Sequence, residues 1–511
     1  MLWIGLRPLL RLLIACIAVC AVSACTGTSD TAAPSENETP QTGGTLRVGA
    51  LGTPDALTKD PHALLANNSD FLIMSLVYDA LTVPGDDTGV QGRLMESWEV
   101  EDDARTWTFT IADGAKFHDG SPVTADDVVA SMRRIIVDMD AAFKVPVPPD
   151  SITALDDHRV RMVTEEANSQ LPLLLRLVTF TTKRGEDPTA FVGTGPFKLD
   201  SYADGNARLV RNDEWHGPKP YLDAIEVTRF DSTDAMYNAL RGGQIDVATT
   251  AGALSAQLAE KDKNLVLHRR PNDMALPIVM RVADGPFADV RVRTAMRLAA
   301  DRDALVEQAL SGYGEVANDV LGTGDPLYDT SLPQRKQDLA EAKELLTEAG
   351  FDFDRTYELF TVDEAYGEVS SAKLFAEQVA ELGVKIEVVE QDSGTFYDKT
   401  WTQADLYTMS WGTNDAVAFY AQKVLNSESG TNETGWKNKE FDAAYADLLA
   451  ANSPAAQKEA SHRMQRLEYD DSGYLLWGMA DGIDIHTKKV HGLSTAPGFG
   501  WVLLERVWLS D

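Results

Sequence analysis

Apolar and polar residues alternate at the beginning of the folded part of the chain. In TLRVGAL, Leu46, Val48 and Ala50 alternate with polar residues or glycine, and RTWTFTI repeats the pattern. A period of two is typical of a strand that buries one face. The pattern therefore predicts strands at both segments, and ARLVRN and IEVTRF indicate two more.

The period then changes to that of a helix. In PVTADDVVASMRRII four apolar residues fall on one helical face: Val128, Met132, Ile135 and Ile136. Thr124, with Asp127 three residues later, resembles a capping box and predicts where this helix begins. DVRVRTAMRLA and DLAEAKELLTEAGF have the same spacing, and Asp338 and Gly350 are positioned to begin and end the second of these helices. DAMYNALRGG predicts a short helix that its two glycines end.

The clearest unit is a strand, a helix and a second strand. TYELFTV precedes the helical pattern SAKLFAEQVAEL, and Gly383 then leads into VKIEVVEQ. A helix of this length between two strands predicts a parallel pair with a right-handed crossover. The fold class is therefore α/β.

The first 43 residues differ from the rest. Arg7 and Arg11 form a basic start, and the apolar stretch from Leu12 to Ala24 is shorter than the roughly 20 residues that a membrane helix needs. We predict a signal peptide over residues 1–24, with an uncleaved membrane helix as the alternative. Residues 25–43 are rich in Thr, Ser, Pro and acidic residues and are expected to form a flexible tether.

Cysteine placement suggests how the mature chain begins. Cys16, Cys20 and Cys25 are the only three cysteines, so cleavage before Cys25 would leave one. The letters VSAC resemble the lipobox of bacterial lipoproteins, which implies that Cys25 carries two acyl chains. Two chains give stable attachment to a membrane. The prediction is a protein anchored by lipid on the extracytoplasmic face of the cell membrane.

Length and charge limit the partners. A chain of 511 residues, 44% of them hydrophobic, is too long for one core and predicts two or three lobes. The formal charge of −33 repels nucleic acid and anionic lipid, so neither is expected as a partner.

The sequence offers little for catalysis or metal binding. FHDGSPVTADD could suggest a metal site through His118, Asp119 and Asp126, but a turn at Asp119 followed by a capped helix explains the same letters. The chain has no HExxH, GxSxG or Walker motif. We therefore expect no metal, no cofactor and no enzymatic activity, although a hydrolase built from scattered residues stays open.

Several long blocks resemble one known family. LMESWEVEDDARTWTFTIADGAKFHDGSPVTADDVVASMRRI, VGTGPFKLDSY, RNDEWHGPKPYLDAI and GPFADVRVRTAMRLAADRDALV resemble the family 5 solute-binding proteins of ABC importers. This family includes oligopeptide-, dipeptide- and nickel-binding proteins. The resemblance extends over residues 44–511.

The resemblance implies a two-lobed, periplasmic-binding-protein-like clamp with an additional inserted domain. By analogy, the first lobe would combine residues 44–75, 181–267 and 489–511. The inserted domain would be 76–180, and the second lobe would be 268–488.

The implied function is capture of a small solute by hinge closure and delivery to a membrane permease. A short peptide is the first choice of cargo, with a nickel chelate, an opine or an oligosaccharide as alternatives. We expect a monomer, and a surface sensor or adhesin with this fold is the competing function.

The resemblance also suggests where the cargo binds. In peptide-binding relatives a W-x-x-D segment supplies an Asp that holds the α-ammonium group, and the matching segment here is TMSWGTNDAVAFY. Trp411 matches, but Asn414 stands where the family has Asp, and Asp415 follows it. Either Asp415 holds the ammonium, or the ligand has no free amine and Asn414 makes a neutral hydrogen bond. The other candidates for ligand contact are Thr408 and Gly412 in this segment, and Asn67, Asn68 and Ser69 in DPHALLANNSD.

Overall fold

The computed structural model describes residues 39–63, 65, 67–85, 89–139, 145–176, 179–412, 416–496 and 500–511. The strands are β1 (Thr45–Leu51), β2 (Thr82–Pro84), β3 (Val90–Gly92), β4 (Met95–Val100), β5 (Thr106–Ile111), β6 (Ile152–Ala154), β7 (Arg159–Val163), β8 (Phe197–Ala203), β9 (Asn206–Arg211), β10 (Ala224–Phe230), β11 (Val247–Ala248), β12 (Leu265–Met280), β13 (Gly314–Val316), β14 (Thr356–Thr361), β15 (Lys385–Glu390), β16 (Leu406–Thr408), β17 (Trp411–Gly412), β18 (Tyr474–Thr487), β19 (Val490–His491) and β20 (Trp508–Leu509). The helices are α1 (Asn68–Val77), α2 (Ala125–Arg133), α3 (Leu171–Leu174), α4 (Thr233–Arg241), α5 (Gly252–Ala259), α6 (Val290–Ala299), α7 (Arg302–Ala309), α8 (Leu339–Glu348), α9 (Glu368–Ala380), α10 (Ser393–Thr395), α11 (Val417–Tyr420), α12 (Lys439–Ala450) and α13 (Pro454–Asp471).

The largest sheet has two long antiparallel strands near its middle, β12 and β18, which we call the central pair. The order across the sheet is β15-β14-β16-β12-β18-β11-β1-β10-β9-β8. Strands β11, β1, β10, β9 and β8 form the first half-sheet, and β16, β14 and β15 form the second. The central pair is therefore the connection through which one half-sheet continues into the other.

The central pair is interrupted where the two half-sheets meet. Residues 265–270 of β12 pair with residues 482–487 of β18, and the register shifts between Arg270 and Met274 before pairing resumes. Pro271 has no amide hydrogen to donate, and Asn272 has a φ of 55°, so this segment cannot continue the ladder. The result is a bulge at the junction of the half-sheets.

Parallel strands lie on both sides of this junction. In the first half-sheet β1 is parallel to β10 and β11, and in the second β14 is parallel to β15 and β16. The carboxyl ends of the strands in each group therefore lie at one edge of its half-sheet. In open α/β sheets this is where ligands bind.

Each half-sheet packs on its own cluster of buried apolar side chains. Leu46, Val48 and Ile225 are buried in the first half-sheet, and Leu359 and Phe375 are buried in the second. A further cluster lies within residues 81–175, around the four-stranded sheet β4-β5-β7-β6. The residue boundaries predicted for the lobes and the inserted domain stay a prediction.

The local predictions are confirmed wherever the hydrophobic period was clear. Thr124 donates its backbone N–H to the Asp127 carboxylate at 2.9 Å, which forms the capping box of α2. Asp338 caps α8, and Gly350 follows it with a φ of 68°. The pair β14 and β15 is parallel, with α9 between the two strands. The fold is mixed α/β, as predicted.

The membrane-related predictions fall mostly outside this description. Residues 1–38, which include Cys25, are not among the described residues. In the described part of the chain, no helix has both the length and the apolar character that a membrane span requires.

Candidate ligand-binding cleft

A cavity of about 410 Å³ lies at the carboxyl ends of strands from both half-sheets. The first half-sheet contributes the segments after β10 and β11, which begin α4 and α5. The second contributes the loop at residues 362–367 between β14 and α9. Residues of β18 form its floor, and these include Ala480, Asp481 and Ile483. The volume is within the range of about 300–1,000 Å³ that small-molecule pockets occupy.

The two half-sheets come close together at one side of this cavity. Gly252 begins α5, and Ala365 lies in the loop after β14. A Cβ at Gly252 would lie 3.4 Å from the Ala365 carbonyl oxygen, which is ordinary van der Waals contact. Because the two residues belong to opposite half-sheets, how closely their backbones approach depends on the angle between the half-sheets.

Asp481, on the floor of the cavity, is held by an ion pair and a hydrogen bond from β12. Arg269 donates from Nε to Asp481 Oδ2 at 2.9 Å, and the backbone N–H of Asn272 donates to Asp481 Oδ1 at 3.3 Å. Asp481 is therefore tied to the bulge of β12. A ligand that contacts Asp481 would act directly on the segment that joins the half-sheets.

A fully buried ion cluster lies beside this floor. The Arg270 guanidinium pairs with Asp273 and with Asp484, and Thr250 donates its backbone N–H to Asp484 Oδ1 at 2.9 Å. Burial opposes the charge of Arg270, but the two carboxylates outweigh it and raise the pKa of Arg270. Thr250 also lines the cavity, so this cluster connects the cavity wall to the bulge.

The loop at residues 362–367 is held by two carboxyl groups, those of the half-buried Glu364 and the buried Glu368. Glu364 accepts hydrogen bonds from the Tyr397 hydroxyl at 2.5 Å and from the Ser410 hydroxyl at 2.7 Å. Glu368 accepts the backbone N–H of Tyr366 at 3.1 Å. Burial raises the pKa of both carboxyl groups. Because Tyr366 lines the cavity, these bonds fix part of its wall.

Trp411 is buried at the second half-sheet, where its strand β17 pairs with β12 beside the bulge. Its indole Nε1 donates to Glu433 at 3.2 Å, and the Lys423 ammonium lies 4.4 Å from its ring centre. Glu433 also accepts from Trp401 at 2.5 Å and from Tyr474 at 2.7 Å. Trp411 is thus held rigidly next to the predicted ligand-binding segment.

The other residues predicted in that segment have varied surroundings. Thr408 is buried, and its hydroxyl shares a hydrogen bond of 2.7 Å with Thr361. The Gly412 carbonyl accepts a hydrogen bond from the Tyr420 hydroxyl. Asn414 and Asp415 lie outside the described residues, so the choice between them stays a prediction.

The three candidates from the first half-sheet lie at the beginning of α1. The Asn67 side chain accepts from the Thr53 backbone N–H at 2.9 Å and donates to the Thr53 carbonyl oxygen at 3.0 Å. These two bonds tie Asn67 to the segment that follows β1. Asn68 reaches the cavity-lining Thr250 hydroxyl at 3.5 Å. Ser69 is buried, and its hydroxyl has no hydrogen-bond partner in the described part of the chain. Of the three, Asn68 is connected to the cavity wall through Thr250.

None of the described residues that the sequence predicted to bind the ligand lines the cavity, so sequence reasoning missed its lining. Asp481, Tyr366, Asp363 and Thr250 belong to no known motif. Thr250 and Asp363 do follow strands β11 and β14 by two residues, and this position after a strand is a usable signal. Asp481 lies within a continuous strand, where no local signal distinguishes it.

The side chains of FHDGSPVTADD have ordinary hydrogen-bond and ion-pair partners. His118 Nε2 lies 3.1 Å from the Gly195 carbonyl oxygen, and Asp119 pairs with Lys183 at 2.5 Å. Among the described residues, no group of three or more His, Cys, Asp or Glu side chains is arranged to hold a metal ion.

Two half-sheets on one central pair of strands, with a cavity between their carboxyl edges, define a binding protein of the clamp class. The model of the bacterial extracellular solute-binding proteins, family 5, matches residues 89–433, and the chain belongs to this family. It is an extracytoplasmic solute-binding protein, and such proteins bind small molecules and work with ABC permeases.

Individual relatives are distant in sequence and close in fold. The glutathione-binding protein GsiB of Shigella flexneri serotype 5b is 24% identical over 80% of this chain and 84% of its own length. The Helicobacter pylori periplasmic binding protein DppA, solved with the peptide STSA, has a TM-score of 0.80 at 19% identity and covers 92% of this chain and 99% of its own. Campylobacter jejuni NikZ, solved with Ni(L-His), has a TM-score of 0.79 at 18% identity and covers 91% and 99%. These structures share the two-lobed fold that was expected.

Proposed function

We propose that this protein captures a short peptide in the cavity between the half-sheets and delivers it to a membrane permease of an ABC importer. The observation that carries the proposal is the cavity itself, which takes its walls from both half-sheets and its floor from the central pair. A ligand there bridges two bodies that can change their relative angle. The named ligands of the relatives, which include a peptide and glutathione, support this class of cargo.

Closure is the mechanism that this arrangement favours. A ligand shifts a protein toward the closed form only if it binds that form more tightly than the open form. Thr250 from one side and Tyr366 from the other line the same cavity, so a ligand that contacts both would favour the closed arrangement. The bulge at residues 271–273 would absorb the change in backbone angle.

The charges in the cavity suit a ligand with an ammonium group. Its charged lining residues are Asp234, Asp363 and Asp481, and its described lining contains no Lys, Arg or His. Asp481 is already paired with Arg269, so Asp234 and Asp363 are the carboxylates that remain for a ligand. A carboxylate closed off from water binds an ammonium strongly. This favours a peptide with a free amino terminus over an anionic solute, and Asp415 or Asn414 would add the contact that the family resemblance implies.

The predicted segment around Trp411 would bind the peptide backbone. Strand-like pairing with the backbone around Gly412 would recognise the main chain without depending on side chains. Thr408, which is buried and hydrogen-bonded to Thr361, would hold this segment in place. From the opposite side Asn68, which reaches the cavity-lining Thr250 hydroxyl, would supply a polar contact, and Asn67 and Ser69 would shape the turn that carries it. Such a site tolerates many peptide sequences.

The proposal also includes attachment by lipid and the absence of catalysis. Signal cleavage and acylation at Cys25 would keep a monomer at the membrane surface near its permease. A peptide recovered intact after incubation would support binding without turnover. A cleaved peptide would favour the hydrolase, and intact binding without any permease partner would favour a surface sensor or adhesin.

Titration calorimetry against a defined pool of tripeptides tests this function. We expect saturable binding, a smaller radius of gyration in X-ray scattering when peptide is bound, and much weaker binding of the N-acetylated pool. Nickel–histidine and an opine serve as comparison ligands. Binding of either comparison ligand without binding of peptides would contradict the peptide assignment, and no binding of any solute would contradict capture itself.

A further inference from the structure

Helix α5 has an exposed apolar side next to the cleft. Ser255, Ala256 and Ala259 are buried on the side of α5 that packs against α4 and the central pair. On the other side Leu254 is 62% exposed and Leu258 is 45% exposed. Residues four apart lie on one helical face, so the two leucines form a continuous apolar strip. Adjacent exposed apolar side chains of this kind are a feature of interaction sites.

Three basic side chains surround this strip. Arg241 ends α4, and Lys261 and Lys263 follow α5. Together with Tyr237, Leu258 and Asp262 they line a surface hollow of about 290 Å³. All three are exposed, and none has a carboxylate within ion-pair distance in the described part of the chain. Three basic side chains against the one carboxylate of Asp262 leave the hollow with a net positive charge, on a chain whose formal charge is −33.

The strip also lies at the line where the half-sheets meet. Leu254 lines the cavity, and Gly252 of the same helix approaches Ala365 of the second half-sheet. A partner bound to α5 therefore lies beside a contact that changes when the cleft opens. Such a partner can distinguish the closed form from the open form by direct contact.

We propose that this surface docks against an acidic, partly apolar extracytoplasmic loop of the permease. We call it the α5 surface and define it by Arg241, Leu254, Leu258, Lys261 and Lys263. The inference rests on the proposed function, because it assumes that the protein serves an importer. Charge complementarity favours an acidic partner, since unpaired cations on an acidic protein attract carboxylates at short range. An anionic membrane surface is the poorer match, because the rest of the chain is repelled by it.

Two variants and two matched controls test the docking. The test variants are Leu258→Ser and the double change Lys261→Glu with Lys263→Glu, and none of these residues lines the cavity. The controls are Leu155→Ser, since Leu155 is also 45% exposed, and Lys373→Glu on the exposed side of α9. The measurement is the affinity of each labelled protein for the permease complex in nanodiscs, with and without the tripeptide pool.

We expect both test variants to dock about tenfold more weakly, which is the usual scale for a central interface residue, while both controls dock like the wild type. Calorimetry with the tripeptide pool is run on every variant. Unchanged docking of the test variants would overturn the proposal. Loss of peptide binding along with docking would also overturn it, because the α5 surface would then act within the cleft.

These measurements distinguish failure of the docking inference from failure of the proposed peptide-binding function. If wild-type protein binds no tripeptide but still docks through the α5 surface, the peptide function fails and the docking inference stands. Cosedimentation with vesicles of anionic phospholipid that lack the permease tests whether the α5 surface binds the membrane instead. Binding to these vesicles that the charge-reversed variant loses would assign the surface to the membrane and overturn the permease proposal.

Discussion

Buried carboxyl groups hold the second half-sheet together at the scale of single residues. Glu433 is fully buried and accepts hydrogen bonds from two indoles and one phenol, those of Trp401, Trp411 and Tyr474. Burial raises its pKa, and the three donors oppose that rise. Without the Glu433 carboxyl group these three donors would have no acceptor in an apolar core. Its removal should therefore be costly in stability.

Replacement of Glu433 by Leu should therefore destabilise the protein by roughly 3 kcal/mol or more, because buried donors are left unpaired. Glu433→Gln, which keeps one acceptor oxygen, should lose less. The measurement is the free energy of unfolding in urea, with fluorescence of Trp411 and its neighbours as a second probe. Equal losses for the two variants would contradict the role given to the hydrogen bonds.

Glu468 gives a prediction about pH. Its carboxyl group is buried on α13 and accepts the Leu321 backbone N–H at 2.9 Å, and burial raises its pKa from 4.5 to about 8. Between these two values the folded protein holds a proton that the unfolded chain has lost. The contribution of this group to stability is therefore fully present below pH 4.5 and is lost as pH rises toward about 8.

Glu468→Gln should accordingly gain stability relative to wild type as pH rises from about 5 to 8, because the amide does not titrate. The measurement is the unfolding midpoint at a series of pH values. Glu459→Gln, on the exposed side of the same helix, should follow the wild type. Parallel profiles for Glu468→Gln and wild type would show that Glu468 titrates normally.

At the scale of elements, the central pair of strands decides how the half-sheets are joined. The bulge in β12 is packed against Gly482 of β18, which leaves no room for a side chain. A Cβ at Gly482 would collide with the Asp273 carboxylate and the Arg270 guanidinium. Glycine is therefore required here by the close approach of the ion cluster.

Gly482→Ala should destabilise the protein by about 2 to 3 kcal/mol, since overpacking displaces a buried ion cluster that has no space to relax. Peptide affinity should fall as well, because Thr250 and Asp481 are connected to that cluster. Urea unfolding and calorimetry measure the two effects. Gly430→Ala, where an added Cβ meets nothing within 4 Å, is the control and should leave both unchanged.

At the scale of the whole molecule, the protein is a clamp whose predicted tether and lipid would keep it near its permease. The acidic charge of the chain opposes adsorption to anionic membranes, so attachment would depend on the lipid. The docking inferred for α5 would then need only a short diffusive search. Anchoring and docking are thus two separate contributions to delivery.

Cys25→Ser should release the protein from the membrane fraction, because the predicted acylation site is removed and the tether offers no apolar substitute. Fractionation followed by immunoblotting measures this. Peptide binding by the released protein should equal that of wild type, since the cavity lies within the described part of the chain. Protein that stays in the membrane fraction would refute the lipid assignment.

The sequence by itself determined the fold class, the family and most regular elements. The capping box at Thr124 and the parallel pair β14 and β15 follow from local periods and caps, which depend on neighbouring residues. The tertiary structure decided the cavity. Asp481, Tyr366 and Thr250 are distant in sequence, and they meet because the central pair of strands brings the carboxyl ends of two half-sheets together. Such contacts depend on strand register and on the angle between half-sheets, and neither leaves a periodic signal in the chain.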